Sequence, residues 1–233
     1  MSSYSEGFKD LLADTNKLTK LLAGSSFNNE PYSNWETNRI FISKAIDKPG
    51  TILDVGCGNG FLLKCLEEWS GYSLTPYGID VDAAFIRQAK EYRSEYAANF
   101  KVANVYAVPY WYHLGLRLWY FKKFDYVLWN VWDNYTFEER GLDLFRYLLK
   151  KVKPDGKLIL TFYAVTPGTN MAKITYLKNA GYILNVLESM PGQQAAAVLC
   201  PEHLLDMKGF TRFTHLILRI RIRSLCSLFF SFG

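Results

Sequence analysis

The residue pattern with the clearest chemistry is a glycine-rich turn that follows the apolar run Ile52–Val55. Every second residue of this turn is glycine, namely Gly56, Gly58 and Gly60. Glycine permits a tight turn and lets a ligand approach the backbone closely. The G-x-G-x-x-G loop of dinucleotide-binding proteins is excluded, because its third glycine position holds Phe61. Asp54, just before the turn, would repel a pyrophosphate and suits a ligand with a cationic amino group.

Polar residues also end the later strand-like segments of the chain. Asp80 ends the segment 76–80, Asn104 ends 100–104 and Asn130 ends 124–130. In a parallel α/β sheet, ligands bind beyond the carboxyl ends of the strands. We therefore expect these three side chains to lie near the same ligand as the glycine-rich turn.

The elements that position these residues are strands and helices in regular alternation. Seven strands are predicted, at Thr51–Val55, Pro76–Asp80, Phe100–Asn104, Phe124–Asn130, Lys157–Tyr163, Tyr182–Glu188 and Phe213–Ile222. The helices predicted between them cover 60–69, 82–97 with Asp82 as N-cap, a segment that starts at a Thr136/Glu139 capping box, and 170–180. This alternation predicts one doubly wound, mainly parallel α/β domain.

Two helices are predicted before the first strand. Apolar residues at helical spacing predict one amphipathic helix over 5–23, and Ser33 with Glu36 forms an S-x-x-E capping box for the second. We assign residues 1–48 to an N-terminal helical cap over the site, 49–223 to the α/β domain and 224–233 to a short apolar tail.

The order of these motifs resembles that of the class I S-adenosylmethionine (SAM)-dependent methyltransferases. The matching segments are 52–60 (ILDVGCGNG), 77–82 (YGIDVD), 103–110 (ANVYAVPY), 124–128 (FDYVL) and 153–158 (KPDGKL). The resemblance covers about residues 33–190 and implies a Rossmann-like seven-stranded sheet with a β6/β7 hairpin, which the seventh predicted strand fits. The implied reaction is methyl transfer from SAM, which leaves S-adenosylhomocysteine (SAH).

The resemblance also implies which residues hold the cofactor. They are Asp54, Gly56, Cys57, Gly58, Gly60, Asp80, Val81, Asn104, Val105 and Asn130. Asp80 would bind both ribose hydroxyls. Asn104 departs from the family's aspartate, although an amide oxygen still accepts a hydrogen bond from the adenine amino group. The Cys57 side chain is expected to pack against the sheet.

The acceptor site is expected in the loops after the fourth and fifth strands, under the N-terminal helices and residues 190–210. Asp133 and His203 are the candidate catalytic bases, and a turn-capping role of Asp133 stays open. The candidate substrate-binding residues are Tyr32, Trp35, Trp132, Tyr135 and Tyr163. Twelve aromatic residues between positions 106 and 135 favour a small acceptor, held in part by cation–π contacts. No metal site is predicted.

Composition and charge narrow the classes of partner. The chain is 49% hydrophobic and 21% charged, as in globular proteins. The excess of 27 Lys and Arg over 22 Asp and Glu lies entirely after Asp206, so the body is neutral and nucleic acid is disfavoured. The alternatives are a methyltransferase acting on nucleic acid or protein, and a catalytically silent SAM-binding paralogue that acts through a protein partner. An aminopropyltransferase is disfavoured, because no paired acids for a polyamine stand in the expected loop.

The ends of the chain bear on its location. No run of 18 uncharged apolar residues predicts a membrane span. The polar N-terminus, with three acids before residue 15, is not a secretory signal, so we expect a cytoplasmic protein with reduced cysteines. The basic strand 213–222 and the apolar tail leave a dimer contact, packing on the domain and a contact with a membrane surface open. The oligomeric state is also open.

Overall fold

Short apolar runs form one central sheet in the computed structural model, which describes residues 4–25, 30–106, 122–131, 137, 140–163, 168–189 and 194–201. Its strands are β1 Gly50–Val55, β2 Leu74–Asp80, β3 Phe100–Val102, β4 Phe124–Val131, β5 Val152–Phe162, β6 Asn185–Glu188 and β7 Ala195–Leu199. Their order is β3-β2-β1-β4-β5-β7-β6. Strands β1 to β5 pair in parallel, and β7 runs antiparallel between β5 and β6. The predicted fold class, including the β6/β7 hairpin, is confirmed.

Helices cover both faces of this sheet. They are α1 Glu6–Ala13, α2 Thr15–Ala23, α3 Tyr32–Thr37, α4 Phe61–Ser70, α5 Ala83–Tyr92, α6 Arg140–Lys150 and α7 Thr169–Asn179, with 3-10 helices at Ile40–Ala45 and Ser94–Asn99. Asp82 caps α5 as predicted, since its carboxylate accepts from Ala84 N at 2.7 Å. The Thr136/Glu139 capping box lies outside the described residues. None of the helices in the described part of the chain is long and apolar enough to span a bilayer.

Alternate residues of each strand pack into two separate cores. Ile52 of β1 and Leu128 of β4 face the core that holds the buried residues of α1, α2, α4 and α5. Leu53 and Val127 face the opposite core, with α6 and α7. Because side chains alternate along a strand, Asp54 lies on the same face as Ile52, beneath the N-terminal helices. The bounds given to an N-terminal cap and an apolar tail remain a prediction.

The seventh strand is not the one that the sequence predicted. Ala195–Leu199 fills this place, pairs with both β5 and β6, and is buried throughout. This strand contains three alanines among its five residues and carries no alternating pattern. An analysis based on period-2 alternation therefore favoured Phe213–Ile222 instead. That basic segment lies outside the described residues. Part of the segment 190–210, expected to cover the acceptor, therefore belongs to the sheet.

The N-terminal region also differs from its prediction. The single helix predicted over 5–23 is two helices, because Asp14 ends α1 and its carboxylate caps α2 through Lys17 N at 3.0 Å. The Ser33/Glu36 capping box does not form, since α3 begins at Tyr32, directly after Pro31. Proline at a helix start is favoured because its fixed φ suits the first turn.

Glu36 is used for a long-range contact instead of a helix cap. Its Oε1 accepts from the hydroxyls of Tyr4 at 2.6 Å and Tyr32 at 2.9 Å, and from Trp69 Nε1 at 3.0 Å. Burial and this carboxylate together raise the pKa of both tyrosines. Glu36 therefore joins the start of the chain, α3 and α4 into one unit.

Asn59, inside the glycine-rich turn, attaches the end of α2 to the sheet. It is fully buried. Its Nδ2 donates to Leu21 O at 2.8 Å, while its Oδ1 accepts from the Ser25 hydroxyl and from Phe61 N at 3.2 Å. The bonds to Leu21 and Ser25 join the N-terminal helices to the segment that leaves β1, and the bond from Phe61 N fixes the Asn59 side chain within that segment.

We predict that Asn59→Ala lowers the free energy of unfolding by about 2–3 kcal/mol, because it leaves a buried carbonyl and a hydroxyl without partners. Urea denaturation followed by circular dichroism measures this. Asn179→Ala, at the exposed end of α7, is the control and should stay within about 0.5 kcal/mol of the wild type. Equal losses in the two variants would contradict this role of Asn59.

Candidate functional site

The glycine-rich turn joins β1 to α4 with backbone conformations that favour glycine. Gly56, Gly58 and Gly60 have φ angles of +83°, +52° and +74°. The Gly56 and Cys57 amides donate to Ile79 O at 2.8 and 3.0 Å, which fastens the turn to β2. A Cβ on Gly58 would lie 2.4 Å from Gly24 O, whereas one on Gly56 would meet nothing within 4 Å. The turn is therefore closed toward α2 and open at Gly56.

Asp54 is a buried carboxylate with an oxygen that has no partner. Asp54 is only 1% exposed, and its Oδ1 makes no hydrogen bond within the described part of the chain. Burial, and secondarily the nearby Asp80 charge, raise the pKa of Asp54 to about 8. A buried carboxylate without a partner is costly, and a bound cation or N–H donor would compensate. The binding of an ammonium group at the position before the turn stays a prediction, and the burial of Asp54 is consistent with its chemistry.

Asp80, at the end of β2, shapes the turn as well as the expected ribose site. Its Oδ2 accepts from Gly58 N at 2.8 Å, and its Oδ1 accepts from Asp82 N at 2.9 Å. Each oxygen of an ionised carboxylate accepts more than one hydrogen bond. Both oxygens therefore keep capacity for a diol. Sequence reasoning assigned Asp80 to the ligand alone and missed its bond to the turn.

The residues expected around adenine stand at the ends of β2 and β3. Val81 is 66% exposed, and Asn104 is exposed with Oδ1 accepting from Tyr106 N at 2.9 Å. Val105 packs partly against the core around α6. The apolar side of a ring would meet Val81, and the amide of Asn104 lies at the neighbouring strand end.

The Cys57 side chain packs against the sheet, as expected from the sequence. A Cβ on Gly78 would lie 2.6 Å from Cys57 Sγ, so the thiol fills the space above this glycine of β2. Burial raises the pKa of the thiol well above its usual range. The neutral thiol is a packing group, and its amide N–H belongs to the turn.

A row of polar side chains follows on the neighbouring strands. Asn130 of β4 and Thr161 of β5 are register partners, and the Thr161 hydroxyl donates to Asn130 Oδ1. They lie on the face of Asp54, because Leu128, two residues before Asn130, belongs to the core under the N-terminal helices. Thr161 is fully buried. It was missed by the sequence analysis, since a threonine in an apolar strand gives no signal of its own.

Tyr163, directly after β5, lies next to an arginine that the sequence analysis also missed. Arg39 Cζ is 5.3 Å from the Tyr163 ring centroid and 4.7 Å from that of Trp35. Burial raises the pKa of Tyr163 to about 12, and the Arg39 charge opposes this. The Trp35 ring is fully buried and stacks on Phe61 at 5.2 Å.

Other predicted site residues fall elsewhere. Tyr32 packs against Trp35 with ring centroids 6.1 Å apart and donates to Glu36, so it belongs to the wall of the N-terminal helices. The candidate bases and two of the candidate substrate residues lie outside the described residues, namely Asp133, His203, Trp132 and Tyr135. Their roles stay predictions. Among the residues that the structure describes, no group of three His, Cys, Asp or Glu side chains is placed to bind a metal ion.

Comparison with known sequences settles the family. Residues 46–188 match the profile of a methyltransferase domain. The chain belongs to this family. The match begins before β1 and ends at the last residue of β6, so it contains the turn, Asp80 and the polar row on β4 and β5. The prediction from the sequence that the chain belongs to a methyltransferase family is confirmed.

Single relatives are more distant. A phosphoethanolamine N-methyltransferase 1 from Zea mays is 26% identical over 156 residues, which cover 66% of this chain and 29% of that protein. The chain thus spans less than a third of this relative. A DhpI–SAH complex is similar with a TM-score of 0.56, 15% identity, and coverage of 83% and 97% of the two chains. A ribosomal protein L11 methylase from Lactobacillus delbrueckii gives a TM-score of 0.51, 19% identity, and coverage of 73% and 79%. These structures support the fold.

The buried Asp54 predicts a specific pH dependence of stability in the absence of ligand. The folded chain keeps the proton up to about pH 8, whereas the unfolded chain releases it near 3.8. The folded state therefore binds more protons between these values, and this group makes stability fall as pH rises. Asp54→Asn removes the effect. The free energy of unfolding of the variant, relative to that of the wild type, should therefore rise by up to about 1.4 kcal/mol for each pH unit between pH 5 and 8.

Urea denaturation of both proteins at a series of pH values gives this difference directly. Other carboxylates titrate in both proteins, so their contributions cancel in the comparison. Parallel stability profiles for the two proteins would show that Asp54 is ionised in the folded state without cost.

Proposed function

We propose that this chain transfers a methyl group from SAM to a small-molecule acceptor by in-line displacement. One observation carries the proposal: the buried Asp54 carboxylate, with an unpartnered oxygen, stands at a glycine-rich turn that is open at Gly56. Bound SAM would supply a methyl group on a sulfonium sulfur, from which the neutral thioether of SAH is a good leaving group. The protein then has to align the acceptor, exclude water and accept a proton.

Different residues at and near the turn bind different parts of the donor. Asp54 binds the ammonium of its amino-acid part, and the open side of Gly56 admits the chain that follows. Asp80 binds the ribose hydroxyls, while Val81, Asn104 and the Val105 backbone hold the adenine. Asn130, with its amide oxygen held by Thr161, is the neighbour of this site on β4. Each role joins a polar atom to the part of the donor that it can pair with.

The acceptor is held on the side of β4 and β5. Tyr163 is one substrate-binding residue on this side, Trp132 and Tyr135 keep their predicted role in substrate binding, and Asp133 or His203 keeps its predicted role as the base that accepts the proton. Tyr32 and Trp35 act from the N-terminal helices, where they close the site and keep water out. Aromatic walls suit a small acceptor with an apolar or cationic part.

Two further observations favour a small acceptor over a macromolecule. The charge of the chain before residue 207 is balanced, whereas nucleic-acid binding needs clustered Lys and Arg. The Zea mays relative is named for a small phosphorylated amine. A cytoplasmic location is also part of this proposal.

Titration calorimetry tests the donor site. We expect SAM and SAH to bind at micromolar concentration and NADH not to bind, because an acid precedes the turn. Binding of NADH alone would overturn the proposal. If none of the three ligands binds, the proposal is also overturned, and a role through a protein partner is favoured.

Asp80→Asn tests the ribose assignment. Loss of the charge and of one acceptor should weaken SAH binding about 10- to 100-fold. Asp82→Asn is the matched control, because Asp82 is exposed, two residues away, and asparagine caps helices as well as aspartate. Its SAH affinity should stay within about twofold. Equal affinities in both variants would contradict the role of Asp80.

Transfer of labelled methyl groups identifies the acceptor class. The protein is incubated with methyl-labelled SAM and either phosphoethanolamine, a fraction of small metabolites, total RNA or ribosomal proteins. We expect label only in small molecules. Label in RNA or protein would replace the small-molecule proposal with the alternative that the sequence left open. SAH binding without any transfer would favour a silent paralogue.

A further inference from the structure

Arg39 is a cation held rigidly between two aromatic rings. Its Cζ lies 4.7 Å from the Trp35 ring centroid and 5.3 Å from that of Tyr163. The side chain is only 12% exposed. Guanidinium groups stack well on aromatic faces, and such stacking fixes the plane of their N–H donors. Arg39 is therefore a preorganised donor group, unlike a surface arginine.

The hydrogen bonds of Arg39 leave most of its donors available. Nη1 donates to Glu30 Oε1 at 3.2 Å and to Trp35 O at 3.1 Å. Within the described residues, the other guanidinium nitrogens donate to no protein atom. A guanidinium has five N–H donors in a fork that matches a carboxylate. Glu30 engages one edge of this fork, and the rest can receive a second anion.

The neighbours of Arg39 place it at the carboxyl edge of the sheet. On one side, Trp35 stacks on Phe61, the first residue of α4 after the glycine-rich turn. On the other side, Tyr163 directly follows β5. Arg39 thus spans the interval between the turn and β5, above β1 and β4. Asp54 is the next-to-last residue of β1 in this interval, and Arg39 and Asp54 act on the pKa of Tyr163 in opposite directions.

We propose that Arg39 binds the α-carboxylate of the methyl donor while Asp54 binds its ammonium. The inference rests on the proposed function and extends it to donor selection. SAM carries both charges on one carbon, so a cation and an anion facing the same space recognise the pair together. Decarboxylated SAM, the donor of aminopropyl transfer, lacks the group that Arg39 binds. Glu30 competes for the same guanidinium when the donor is absent.

The test compares two ligands that differ only in the carboxylate. They are SAH and its decarboxylated analogue, S-adenosyl-3-thiopropylamine, and both are titrated into the full chain by calorimetry. In Arg39→Gln we expect SAH to bind about 10- to 100-fold more weakly, while the affinity for the analogue stays within about twofold. Arg39→Lys keeps the charge and should recover part of the SAH affinity. Equal losses for both ligands would assign Arg39 a structural role and overturn the proposal.

Glu30→Gln provides a second test that does not depend on the folding of the Arg39 variants. Removal of the competing carboxylate should raise the affinity for SAH and leave that for the analogue unchanged. An unchanged or lower SAH affinity would contradict the proposal. If the wild type binds both ligands equally well, Arg39 has no such role although the nucleoside site stands. If it binds neither, the proposed function itself fails.

Discussion

The turn between β1 and α4 is held from both sides by backbone atoms, and the rest of the site depends on this clamp. Ile79 O of β2 accepts from the Gly56 and Cys57 amides on one side. On the other, Gly24 O lies where a Cβ of Gly58 would be. Because a Cβ on Gly58 would lie only 2.4 Å from Gly24 O, glycine at this position lets the end of α2 pack directly against the turn. Asn59 then secures this packing with side-chain bonds.

Burial opposes the ionisation of two aspartates on neighbouring strands, but only one of them has partners that outweigh it. Burial opposes ionisation of Asp125, but its bonds to Lys153 and Thr51 outweigh this and lower its pKa. At the carboxyl edge, Asp54 has burial without compensation, and its pKa is raised to about 8. Stability alone would select a paired or apolar residue there. A buried carboxyl oxygen that has no partner in the described part of the chain, beside an open turn, is the feature expected of a binding site.

Most of the fold followed from local patterns in the sequence. The strand β1, the glycines after it and the Asp82 cap of α5 depend on residues within a few positions of one another, which spacing reveals. The failures have a common cause. Ala195–Leu199 lacks an alternating pattern, and Ser33 with Glu36 has the pattern of a capping box that the preceding proline supersedes. Both segments are instead used in contacts beyond the local pattern, since β7 pairs with β5 and β6 and Glu36 accepts from Tyr4 and Trp69.

The sequence by itself determined the family, the glycine-rich turn and the acids near it, because these need particular residue types at fixed short spacing. Only the tertiary structure decided which residues complete the site. Asn59 bonds to Ser25 across 34 positions, Thr161 bonds to Asn130 across 31, and Arg39 meets Tyr163 from a separate helical segment. No periodicity links such residues. They meet because parallel strands end at one edge and the N-terminal helices pack across it.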